Sequence, residues 1–113
     1  AVTMKTILDG MNLIQLGFLT NTEILIEEGV SEVNHGKSIL EAIGKTKNLS
    51  FEEIQYPKYI KQITIHTDLL LKEYKSGEIK KAMLEYKSLM NTCISCHMKL
   101  RDYKDRGFRF RFK

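Results

Sequence analysis

Cys93, Cys96 and His97 stand together in the pentapeptide Cys93-Ile94-Ser95-Cys96-His97, and the two cysteines are the only ones in the chain. Two thiols in C-x-x-C spacing with an imidazole next to the second form the pattern of covalent haem attachment. The spacing suits the chemistry. Each thiol adds to one vinyl group of a single haem, and the adjacent imidazole ligates the iron from below the ring plane. Positions three and four apart share one face of a helix, so all three side chains can address one planar group. A thioredoxin-like redox pair would sit near a strand-helix-strand alternation, which is not visible here. A zinc site would need a second pair of ligands, and the other histidines, His35 and His66, lie far apart with no partner nearby. Coincidence would require both cysteines and one of three histidines to fall in one frame. The expectation is haem c, one per chain, bound through Cys93 and Cys96 with His97 on the iron.

A chain of 113 residues with 42% hydrophobic content makes one domain with one core. No apolar run approaches the length of about 18 residues that a membrane span needs, so a soluble protein without a membrane span is expected. Nothing at the N-terminus has the charged, apolar and small-residue form of a signal peptide, so Ala1 is expected to be a mature or trimmed end. Haem is joined to this motif outside the cytoplasm, so export and removal of a signal peptide, and a periplasmic location, are expected. The net charge is +4. Residues 99–113 carry seven Lys or Arg against Asp102 and Asp105, so the excess lies at the C-terminal end. The remainder is close to neutral, which argues against nucleic acid as a partner.

The elements that must position the motif read as helices. Met4, Ile7, Leu8, Met11, Ile14 and Phe18 fall at three-and-four spacing on a first helix. Thr20 and Glu23 have capping-box spacing and Asn21 and Thr22 are good caps, which places a break at 19–22; a single helix to Gly29 is the alternative. A second helix runs from about Thr22 to Ile43, with Leu25, Ile26, Val30, Val33, Leu40 and Ile43 inward and Gly29 and Gly36 weakening its interior. Residues 44–56 form the one long connection. Pro57 suits the first turn of a third helix, whose Ile60, Ile63, Thr67, Leu70 and Tyr74 make a seam. Gly77 is a C-cap signal, so the third and fourth helices are antiparallel neighbours. On the fourth helix Ile79, Met83, Tyr86, Met90, Cys93, His97 and Leu100 share a stripe, taken as the inward face, with Met83 and Met90 as core residues and Gly107 as its end. Met98 should point elsewhere. Tyr74 and Tyr86 should pack inward with their hydroxyls near water, and His35 and His66 should be surface or satisfied polar residues. The expected fold is all-α, an antiparallel four-helix bundle over 1–106 with the haem between its helices, followed by a basic-aromatic tail at 107–113. In that tail Phe108, Phe110 and Phe112 alternate with Arg109, Arg111 and Lys113, a strand period that suits docking.

A four-helix bundle with C-x-x-C-H on its last helix resembles the class II c-type cytochromes, the cytochrome c prime family. Arg101 matches the basic residue that the family often carries four positions after the haem histidine. The segment Ser76-Gly77-Glu78-Ile79-Lys80-Lys81-Ala82 looks like the turn before the last helix of the small periplasmic b-type four-helix cytochrome. The resemblance implies a sixth-ligand question. In six-coordinate members a methionine of the first helix ligates the iron and the protein carries electrons; in pentacoordinate members an apolar residue closes that face and the iron binds nitric oxide or carbon monoxide. Setting Met4 to Ile14 against the first helix of the b-type relative puts Met4 at the ligand position, with Met11 as runner-up. The arginine that often precedes the distal residue has no counterpart ahead of Met4.

The expected function is therefore a periplasmic single-electron carrier with low-spin iron held by His97 and a first-helix methionine, and not an enzyme, since no acid, base and nucleophile constellation appears. The alternative is a pentacoordinate protein that binds or senses NO or CO. The basic end suits an acidic redox partner, and the resemblance allows a homodimer.

Overall fold

Asn21 and Gly77 set the two tight reversals of the chain. Both take a left-handed backbone, with φ of 50° and 83°, a conformation that Gly adopts freely and Asn more readily than most residues. At the first reversal the amide of Thr22 donates to the Gly17 carbonyl at 2.9 Å and that of Asn21 to Phe18 at 3.3 Å. At the second, Glu78 donates to Glu73 at 2.8 Å and Gly77 to Tyr74 at 3.1 Å. Both are Schellman closures, which satisfy carbonyls that the helix end would otherwise leave open. Nothing lies within 4 Å of a Cβ built on Gly77. Gly77→Ala should therefore cost only the backbone term, about 1 kcal/mol, read as a lower urea midpoint at unchanged slope.

The computed structural model describes residues 2–46 and 56–105, with side chains over 5–42 and 57–98. These residues form α1 (Val2–Thr20), α2 (Glu23–Thr46), α3 (Tyr56–Lys75) and α4 (Ile79–Asp105). The break at 19–22 is present, and the single helix to Gly29 is not adopted. Pro57 lies in the first turn of α3, where its missing N–H costs nothing. Among the described residues no helix is long and apolar enough to cross a membrane. The connection read at 44–56 is shortened from both sides, since α2 runs to Thr46 and α3 starts at Tyr56; its residues 47–55, the helix end at Gly107 and the tail at 107–113 lie outside the described residues.

The helices pack as an antiparallel bundle. Between α2 and α3, Lys37 donates to Thr64 at 2.6 Å and Asn34 donates to Thr67 at 3.4 Å, while Lys75 pairs with Glu27 at 2.7 Å. Between α3 and α4, His66 meets Glu85 at 2.7 Å and Thr92 donates to Gln62 at 3.4 Å. In each pair the residue numbers rise on one helix as they fall on the other. One core joins Ile7, Met11 and Ile14 of α1 to Ile26, Val30 and Val33 of α2, Ile63, Leu70 and Tyr74 of α3, and Ala82 and Leu89 of α4. At one end the Phe18 ring meets Tyr74 at 5.6 Å and Tyr86 at 6.0 Å, both edge-on, and the Tyr74 hydroxyl donates to Asn21 at 2.5 Å. That end is pinned across α1, α3, α4 and the α1–α2 turn.

Two features depart from the sequence reading. Gly29, read as a weak point of α2, is a contact point, as are Gly10 and Gly17 of α1. A Cβ on Gly10 would lie 2.7 Å from the Gly29 carbonyl oxygen, and one on Gly29 would lie 2.7 Å from that of Gly10. The backbones of α1 and α2 are thus nearly in contact. On α4 the stripe taken as inward is not the core face. Ala82, Leu89 and Thr92 are buried, whereas Met83 is 52% and Met90 40% exposed, so neither is a core residue. The physical reason is that α4 leans on α3 and only lightly on α1, which leaves the stripe facing a gap.

Candidate functional site

That gap is an open groove between α1 and α4 with a volume of about 330 Å³, within the range of about 300–1,000 Å³ usual for ligand sites. α1 lines it with Ile7, Leu8 and Met11, and with Asn12 and Gln15; α4 lines it with Tyr86, Met90, Cys93, Ile94 and His97. It exists because α1 is drawn close to α2 through its glycines while α4 packs on α3. Leu8 and Ile94 are half exposed beside it. Apolar side chains left facing solvent along one slot suit an apolar, planar occupant better than water.

Cys93 and His97, one helical turn apart, both reach the groove. Cys96 is half-buried beside Cys93 and does not line it. The two cysteines are free thiols. Burial pushes each thiol from 9.0 up to about 11, with the charge of Cys93 adding to the shift at Cys96. At neutral pH both are therefore uncharged and weak as nucleophiles. Burial, and then the neighbouring Cys93, also raise the Tyr86 phenol.

No family model, no curated protein and no solved structure matches the chain.

Of the residues singled out from the sequence, the structure brings Met11, Cys93 and His97 to one groove. Met11 is nearly buried, at 7% exposure, and belongs to the core as well. Met4 lies on α1 and Arg101 on α4, and their side chains are outside the described residues. Met98 is exposed and away from the groove. His35 is exposed, and His66 is satisfied by Glu85 on α4. Sequence reasoning missed the part played by Tyr86. Its hydroxyl, expected near water, donates to the Met11 carbonyl at 3.3 Å and to Gln15 at 3.4 Å, and so bridges the groove. The signal was available, since Tyr86 stands two turns before Cys93 on the same stripe. Nothing in the sequence marked Asn12 or Gln15.

The donor set fits a haem. A thiol and an imidazole stand at one slot with aliphatic and thioether groups opposite, and the second thiol is three residues along the same helix, on the adjoining part of its face. The raised thiols give a test. The folded state holds its protons between pH 9 and about 11 while the unfolded chain has released them, so stability conferred by the neutral thiols is intact below pH 9 and is lost as pH rises through about 11. Urea midpoints of the apoprotein should fall across that window, and the fall should be shallower in Cys93→Ala/Cys96→Ala.

Proposed function

We propose that the chain is a periplasmic monohaem c-type cytochrome that carries single electrons. The observation that carries this reading is the shared groove, in which Cys93 and His97 of a C-x-x-C-H motif face the apolar side of α1. When bound, haem supplies an iron that exchanges one electron. Cys93 and Cys96 would hold it as thioethers, and His97 would give its iron a nitrogen donor. Ile7, Leu8 and Met90 would pack against it and shield it from water. A thioether sulfur from α1 as the other donor would favour the reduced state and would leave no place for a substrate.

Met4 is the residue we assign to that thioether, with Met11 second. The register supports this order. Tyr86 stands opposite Met11 and Gln15. His97 lies eleven residues further along α4, roughly 16 Å at the helical rise. An equal distance back along α1 reaches Met4 when counted from Gln15 and the start of the chain when counted from Met11, so the register points to the first turn of α1. The basic residues of 99–113 would steer an acidic partner towards this end of the bundle, an attraction that salt weakens.

The test is intact mass after expression with a periplasmic haem c maturation system. A covalent adduct of one haem that is lost in Cys93→Ala/Cys96→Ala supports the reading; an unmodified chain sinks it. A second reading, pentacoordinate iron that binds NO or CO, is favoured by the aliphatic Ile7 and Leu8 in the groove wall. The ferric spectrum separates the two: low-spin iron with a sulfur-to-iron band indicates the electron carrier, and high-spin iron that shifts with carbon monoxide indicates the gas binder.

A further inference from the structure

On another side of α4, the seam with α3 opens into a second cleft, of about 340 Å³. Bundle seams are ordinarily apolar, yet this one is lined by Lys58, Gln62 and His66 of α3 and by Ser88, Asn91 and Ser95 of α4, with Tyr59 and Thr92 between them. Tyr59 and Thr92 are buried at 7% and 6% exposure, and form its floor. Polar groups placed at a seam cost stability unless they are satisfied.

The hydrogen bonds already made decide what the cleft offers. The Thr92 hydroxyl donates to the Ser88 carbonyl at 3.0 Å, and Gln62 Oε1 lies 3.4 Å from the same hydroxyl. Gln62 thus turns its oxygen to Thr92, and its amide N–H groups remain. His66 Nδ1 meets Glu85 Oε1 at 2.7 Å, on the side of that ring facing α4. No Asp or Glu lines the cleft, and among the described residues no carboxylate pairs with Lys58. Lys58 Nζ sits over the Tyr59 ring, 5.9 Å from its centre, at the mouth. What remains is an ammonium, two side-chain amides and the Ser88 and Ser95 hydroxyls around one space, an excess of donors with one net positive charge.

We propose that this α3–α4 cleft binds a small oxyanion, a phosphate or carboxylate compound, with Lys58 as its counter-charge and Gln62, Asn91, Ser88 and Ser95 as hydrogen-bond donors. The site is independent of the groove on the α1 side and does not rest on the haem reading. It places an anion beside Ser95, within the segment between the two cysteines, so occupancy would be sensed at the motif.

The experiment is titration of the ¹⁵N-labelled full-length protein at neutral pH with inorganic phosphate and, separately, with citrate, at constant ionic strength. Saturable amide shifts at Ser88, Asn91, Thr92 and Ser95 in the millimolar range are expected. Lys58→Met, at an exposed position, should weaken binding by about tenfold, the worth of one charge-assisted hydrogen bond. Asn91→Leu should weaken it as well, and both variants should retain the parent helical circular dichroism. Saturation with phosphate alone or citrate alone supports the site and assigns its preference. Shifts confined to the basic stretch 99–113, shifts that never saturate, or undiminished binding by Lys58→Met each overturn it.

Discussion

Met4→Ala is expected to convert the ferric protein wholly from low-spin to high-spin and to abolish its sulfur-to-iron band, while Met11→Leu leaves both intact. The two substitutions differ because the two positions do. Met11 is a core residue at 7% exposure, and truncating it to Ala would remove about 2–5 kcal/mol of packing, so its variant must conserve volume. Met4 sits in the first turn of α1, where we assign the ligand. Loss of a thioether ligand also lowers the reduction potential, because the sulfur favours ferrous iron, and voltammetry reads that drop independently of the spectrum. Spin conversion by Met11→Leu alone would transfer the ligand role to Met11. A low-spin spectrum unaltered by either change removes the methionine assignment.

Gly10→Ala and Gly29→Ala are each expected to destabilise the bundle by about 1–3 kcal/mol, although Ala is the better helix former by about 1 kcal/mol. The sign is decided by what the new methyl group meets. At Gly10 it would lie 2.6 Å from Val33 Cγ2 and 2.7 Å from both the Gly29 oxygen and the Val33 nitrogen. A side chain can rotate away, but two backbone atoms cannot, so α1 and α2 must separate along the contact. The double variant should cost less than the sum of the two, because the first substitution has already parted the helices that the second would part. Urea unfolding measures all three. A gain in stability at either site would mean that helix propensity outweighs the contact.

How far the sequence could be read depended on what covers each helix. The α3 seam of Ile63, Thr67, Leu70 and Tyr74 was legible because neighbouring helices bury it, so hydrophobic spacing and burial coincide. The α4 stripe misled because residues facing a groove and residues facing a core have the same apolar character. Met83 and Met90 could be told from Leu89 only once α1 was seen to stand apart from α4. Gly10, Gly17 and Gly29 were opaque for a different reason: a missing side chain marks a weak helix and a close approach alike. The motif itself, Cys93 to His97, needed only its own spacing, whereas the Tyr86 bridge and the donor-lined cleft depend on partners far away in the chain.

The groove has one fixed end. Phe18, Tyr74 and Tyr86 tie α1, α3 and α4 at one level, with Asn21 of the α1–α2 turn bound to Tyr74, and the glycine contacts hold α1 to α2. The groove residues run from Gln15 and Tyr86 at that level towards Ile7 and His97. The slot is therefore a blind alley: the Tyr86 bridge crosses it at the tied end, and Cys93 and His97 stand towards the other.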